Sequence, residues 1–223
     1  MAPKVTVLQL DTQFPRVSGD VASAATYQCE VEVIRIQNAS VDKIVSNRPD
    51  LIDITPFEAA LDQARGDIIV TSCGFLSYWQ DHLAARTHKP FISSALTAFD
   101  RLSQRFAPDE VLTLTFDEAS LTEQHFGNHS AYRVGVVGLP VEMHLRRVIS
   151  QNQTTLDVER AGRELVKFIA KMQRPHHKHL VLECTNLPPY KAALKLETGL
   201  DVTDILSCIE SVRPGSVREQ FSS

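Results

Sequence analysis

Asp67-Ile-Ile-Val-Thr-Ser-Cys73-Gly-Phe-Leu76 and Lys178-His-Leu-Val-Leu-Glu-Cys184-Thr-Asn-Leu187 share one plan. Each is a short, nearly continuous apolar run that ends in a cysteine and leads into a helix-like segment. Runs of this kind read as parallel strands covered on both faces. Working outward, residues 5–10, 31–36, 68–71, 111–116, 133–137 and 180–182 are predicted strands. Residues 57–64, 76–85, 155–172, 191–196 and 205–212 are predicted helices. The third of these carries Val158, Ala161, Leu165, Phe168 and Met172 at steps of three and four. Thr154 is its expected N-cap, and Asp157 suits the positive helix start. Ile205, Ile209 and Val212 share a face of the last helix, which is expected to pack back on the first half. Alternating strands and helices predict an α/β fold with a mostly parallel sheet.

The halves echo each other. Val5-Thr-Val-Leu-Gln-Leu-Asp11 resembles Val111-Leu-Thr-Leu-Thr-Phe-Asp117 at an offset of 106, and the two cysteine stretches match at an offset of 111. Two landmarks at nearly one offset predict related lobes. The expected division is 1–106 and 107–199, with 200–223 completing the first lobe. Ligands of open α/β sheets bind at the carboxyl ends of strands. Both cysteines fall there, and a following helix N-terminus is expected to favour thiolate. Read alone, either cysteine is a packing residue; paired in a repeat, they read as chemistry.

Composition sets the frame. The chain has 223 residues, 43% hydrophobic and 22% charged, with a net charge of -4 spread over both signs. No basic stripe suggests nucleic acid as a partner, and no run approaches the ~20 apolar residues of a membrane span. Four cysteines in this length do not make a disulfide framework, so a reducing, cytoplasmic setting is expected. Glycosylation-type triplets at Asn38, Asn128 and Asn152 are taken as chance matches.

Thr71-Ser72-Cys73-Gly74-Phe75 and Glu183-Cys184-Thr185-Asn186-Leu187-Pro188-Pro189-Tyr190 resemble the two cysteine motifs of the aspartate/glutamate racemase superfamily. Phe14-Pro-Arg16-Val-Ser-Gly19-Asp20 is similar to uncharacterised members of that group. The group includes amino-acid racemases, hydantoin racemase, maleate isomerase and arylmalonate decarboxylase. The resemblance implies two pseudo-symmetric Rossmann-like lobes with the site in a cleft between them. It also implies a cofactor-independent racemase, epimerase or isomerase acting on a small carboxylate. One thiolate of Cys73 and Cys184 would take a proton from the carbon beside the carboxylate, and the other thiol would return one from the opposite face. Neither pyridoxal nor metal is expected, and a second copy of the chain stays open as a partner. Gly74 stands where amino-acid racemases commonly carry Asn, and Asn186 where they carry His or Glu. Glu183 and Asp11 are left as groups that could tune the thiols. A carboxylate-binding protein, an inactive relative, a decarboxylase and a cysteine hydrolase are the alternatives on this scaffold.

Thr71, Ser72, Thr185 and Asn186 are the expected carboxylate donors, with Gly74 and Phe75 beside them. Asp11 ends the first strand, and reads equally as a cap. Arg16 offers a fork for a second carboxylate, or a salt bridge with Asp20. Thr115 and Ser120 follow the equivalent strand of the second half. His176, His177 and His179 lack a further metal ligand. Cys29 and Cys208 read as packing residues.

Overall fold

The computed structural model describes residues 4–222. Its strands are β1 (Lys4–Leu10), β2 (Glu30–Ile36), β3 (Ile68–Thr71), β4 (Phe91–Ile92), β5 (Val111–Thr115), β6 (Val136–Gly138), β7 (His179–Leu182) and β8 (Asp201–Thr203). They form two four-stranded sheets, ordered β2-β1-β3-β4 and β6-β5-β7-β8, and every pairing is parallel. The orders are the same when each half is counted from its own first strand. The register repeats as well: Leu8 pairs with Thr71, and Leu114 with Leu182. Those residues stand at the two offsets read from the sequence, 106 and 111.

The central strands are apolar because helices and turns cover both of their faces. All described residues of β3, β5 and β7 are buried. β2 is an edge strand, and Val33 on it is 44% exposed. The helices are α1 (Val41–Ile44), α2 (Thr55–Gln63), α3 (Gln80–Ala84), α4 (Phe99–Leu102), α5 (His144–Ser150), α6 (Val158–Met172), α7 (Lys191–Thr198), α8 (Ile205–Val212) and α9 (Glu219–Ser222). α6 buries Ala161, Leu165 and Ile169, a stripe at helical spacing. α8 buries Ile205, Leu206, Cys208 and Ile209, while Val212 faces outward. It packs against β4 and the turn Ala95–Ala98.

Several boundaries differ from the sequence reading. α6 is capped by Asp157, whose carboxylate accepts from the Arg160 N–H at 2.9 Å, rather than by Thr154. The expected helix over 76–85 is a 3-10 segment, Gly74–Trp79, followed by the short α3. Gly, Ser, Tyr and Trp are weaker helix formers than Ala or Leu, which favours the tighter turn there. The strand expected over 133–137 begins at Val136, because 133–135 ends the 3-10 stretch Glu123–Gly135. The segment assigned to the first lobe from residue 200 starts with β8, which pairs with β7 in the second sheet; only after Asp204 does the chain reach the first.

Candidate active site

The two cysteines stand two residues past the ends of β3 and β7, both buried and free. One pocket holds them together. Its wall takes Leu10, Phe14, Ser72, Cys73, Gly74 and Phe75 from the first half, and Phe116, Glu183, Cys184, Thr185 and Asn186 from the second, with Val41, Val45 and Ile149 closing it. Its room is about 30 Å³, against the ~10–15 Å³ that one water centre needs. The pocket is therefore small, and any ligand larger than a few atoms requires its walls to give.

Hydrogen bonds lock the two strand ends to each other. The Thr185 hydroxyl donates to the Ser72 carbonyl at 2.6 Å. The Ser72 hydroxyl oxygen accepts from the Leu10 N–H at 3.0 Å, and among the described residues nothing takes its own proton. The Asn186 amide donates to Asp20 at 2.7 Å. Asp20 in turn pairs with Arg16 at 3.3 Å, and Arg16 also donates to the Thr12 hydroxyl and lies over the Phe14 ring.

Electrostatics correct one expectation. The backbone N–H groups of Phe75 and Asn186 do reach the sulfurs of Cys73 and Cys184. Burial outweighs them. Together with the neighbouring Glu183 charge, it pushes Cys73 up to about 12, and it drives Cys184 well above the ordinary thiol range. The turns that follow the cysteines are short 3-10 segments, Gly74–Trp79 and Pro188–Tyr190, so little helix dipole is aligned on either sulfur. Glu183 is itself fully buried and pushed up to about 7 by burial, against the pull of the Thr115 hydroxyl.

No protein-family model matches the chain. Dimethylsulfoniopropionate lyase 5 of Emiliania huxleyi (strain CCMP1516) is 26% identical over 232 residues, which cover 96% of this chain and 45% of the relative. A dimethylsulfoniopropionate lyase of Durusdinium sp. clade D is 25% identical over 222 residues, covering 90% and 70%. The chain thus spans about half the length of the first relative. Among solved structures, allantoin racemase from Pseudomonas fluorescens superposes with a TM-score of 0.55 at 10% identity, covering 99% of this chain and 96% of the other. Picrophilus torridus aspartate racemase gives 0.53 at 14% identity, covering 98% and 97%. Unliganded arylmalonate decarboxylase gives 0.52 at 12% identity, covering 90% and 86%.

The chain shares the fold of these racemases and of arylmalonate decarboxylase.

On this shared fold the residues singled out from the sequence sort into three groups. Cys73, Cys184, Ser72, Gly74, Phe75, Thr185 and Asn186 line the pocket together. Thr71 and Thr115 stand behind it. Thr71 donates to the Ser93 carbonyl at 2.6 Å, so its hydroxyl is used inside the first half, and Thr115 donates to Glu183. Asp11, Arg16 and Ser120 are not in the pocket wall. Asp11 turns outward to Arg35 at 2.6 Å and to the Asn38 N–H, and Ser120 donates to Asp117 at 2.7 Å. Arg16 is held by Asp20 and Thr12 instead of facing the cavity.

Sequence reasoning underweighted Glu183, and missed the apolar wall of Leu10, Phe14, Val41, Val45, Phe116 and Ile149. Gly74 was the available signal. A Cβ there would meet the Glu183 Oε1 at 2.1 Å, so residue 74 must be glycine for the carboxyl to lie where it does. The histidine trio does not gather: His177 accepts from the Arg174 N–H, while His179 is buried against Phe106 and Thr203. Among the described residues no three His, Cys, Asp or Glu side chains converge as metal ligands, and no helix is long and apolar enough to cross a membrane.

Proposed function

We propose that the chain is an enzyme that takes a proton from the carbon beside the carboxylate of a small acid, with Cys73 and Cys184 as the proton-transferring thiols. The observation that carries this reading is their meeting: two free cysteines at equivalent strand ends of the two sheets line one small pocket. The wall adds a chemical preference. It is mostly aliphatic and aromatic, and its polar side chains besides the thiols are Ser72, Glu183, Thr185 and Asn186. An amino acid with two carboxylates would find no lysine or arginine there. A molecule with one carboxylate and a methylated cationic end fits better, because phenyl faces attract such cations.

Together with the similarity to dimethylsulfoniopropionate lyases, this makes β-elimination the first reading. A thiolate takes the proton from the carbon beside the carboxylate, and that electron pair becomes the new carbon–carbon double bond. The bond from the next carbon to the sulfonium breaks and its pair leaves on sulfur, giving dimethyl sulfide and acrylate. The Ser72 hydroxyl, whose own proton is uncommitted, would steady the carboxylate as charge builds on it. Purified protein mixed with dimethylsulfoniopropionate should release dimethyl sulfide and acrylate in equal amounts. Turnover of neither product, in a protein shown to be folded, sinks the lyase reading.

The matched pair of thiols favours racemisation or isomerisation as the second reading, since elimination needs one base and a two-faced proton exchange needs two. Loss of optical rotation by a chiral small acid would select it. A hydrolase reading is weaker, because the pocket wall holds no histidine to act as base. A pure binding protein would exchange no carbon-bound proton with solvent.

A further inference from the structure

Glu183 is the one ionisable group of the pocket wall, apart from the two thiols, among the described residues. It is wholly buried. Its Oε2 accepts from the Thr115 hydroxyl at 2.6 Å, and its Oε1 has no hydrogen-bond partner among the described residues. The carboxyl lies against the backbone of Gly74, next to Cys73, while Glu183 itself precedes Cys184. It therefore reaches from the end of β7 to the end of β3. The charged and titratable groups around the trio are few. Cys73 and Cys184 feel the carboxylate, Arg16 acts on Cys73, and Asp20 acts on Cys184. Among the described residues no cation is paired with Glu183 itself.

We infer that Glu183 is a positioning residue that exchanges a proton with the two buried thiols, so that the pocket carries a single negative charge shared between carboxylate and sulfur. In this structure the Cys184 thiol donates to the Asn186 Oδ1 at 3.8 Å and Oε1 is left unpartnered, so a side-chain rotation brings thiol and carboxyl together. In the exchange an S–H bond breaks, an O–H bond forms at Oε1, and the charge moves from oxygen to sulfur. No charge enters or leaves the buried space. A second negative charge there would be costly in a low-dielectric site. The raised position of Glu183 near 7, and the far higher positions of both thiols, follow the same logic.

A particular pH dependence results. Below the carboxyl's titration, the thiolate content of the pocket rises about tenfold per pH unit. Above it the single charge is in place, and the thiolate fraction stays constant. With an uncharged glutamine at position 183 the rise continues. The inference deepens the thiol reading given above, but its test needs no turnover, so the two can fail separately. Cys73 and Cys184 are alkylated with iodoacetamide from about pH 6 to about pH 10 and followed by peptide mass, since the thiolate is the reacting form. In the wild type, the rates at both cysteines should level off above pH 7 or so. In Glu183→Gln they should match the wild type below that point and exceed it by roughly 100-fold two pH units above it. A wild-type profile that climbs alongside the variant through pH 9 overturns the inference. Should Glu183→Gln fail to fold, Thr115→Val provides the second test. Losing the hydroxyl that steadies the carboxylate should move the levelling point to higher pH, and an unmoved point overturns the inference equally.

Discussion

Glu183 occupies the space that any side chain on residue 74 would need. Gly74→Ala should therefore displace the carboxyl and disturb both thiols. On the proposed reading it lowers turnover at least ~10-fold while leaving far-ultraviolet circular dichroism unchanged. Ser72→Ala should cost on the order of 10- to 100-fold in kcat/KM, as the loss of one aimed donor does. Glu183 also makes a stability statement. Its folded pKa is raised from 4.5 to about 7, so between those values the folded state binds the proton more tightly than the unfolded chain. The stability it contributes is full below 4.5 and is lost as pH rises through 7. Relative to Glu183→Gln, urea unfolding should show the wild type losing ~3 kcal/mol between about pH 4.5 and about pH 8. A constant difference would contradict the buried carboxyl. Cys73 and Cys184 were legible because a cysteine closing a short apolar run sits where sheets bind ligands. Glu183 was hard to weigh, because a glutamate before a cysteine looks the same whether its side chain turns to solvent or into a cavity. Asp11 and Arg16 misled for a related reason: their partners, Arg35 and Asp20, are set by folding rather than by strand position.

Among the elements, the long periodic ones were readable and the short ones were not. α6 and the strands β1, β3, β5 and β7 carry enough residues in pattern to declare themselves. β4 has two residues and β8 three, too few to show a period, and they form only because β3 and β7 present free edges to them. α8 rests on a reciprocal cap. The Asp204 carboxylate accepts from the Ser207 N–H at 2.8 Å, and the Asp204 N–H donates to the Ser207 hydroxyl at 2.9 Å. The same carboxylate pairs at 3.5 Å with Lys191 of α7, both side chains being almost fully buried. Asp204→Ala should thus remove a cap and strand a buried ammonium, destabilising by roughly 3–5 kcal/mol in chemical denaturation. Adding Lys191→Met should recover a large part of that loss, and failure to recover any would show that the pair is not the cause.

Across the whole molecule, the repeat seen as two sequence offsets became two sheets of the same strand order. That correspondence brings two cysteines, 111 positions apart in the chain, to equivalent strand ends facing one pocket. Close approach between the halves is also glycine-dependent. A Cβ on Gly19, held at φ +97°, would sit 2.8 Å from the Pro189 backbone, just as Gly74 admits Glu183. The apolar character of the pocket wall came from residues scattered over the chain, Leu10 to Ile149, and only the fold collects them. The small room of the pocket makes a shift of its walls a part of any turnover. The central claim is that a thiolate of this pair takes a proton from the carbon beside a carboxylate. Nuclear magnetic resonance in heavy water reads it directly, because exchange, racemisation and elimination all erase the proton signal at that carbon. With dimethylsulfoniopropionate, the wild type should erase it, and folded Cys73→Ser/Cys184→Ser should do so at least ~1,000-fold more slowly. A folded double variant that erases the signal at the wild-type rate would contradict the account.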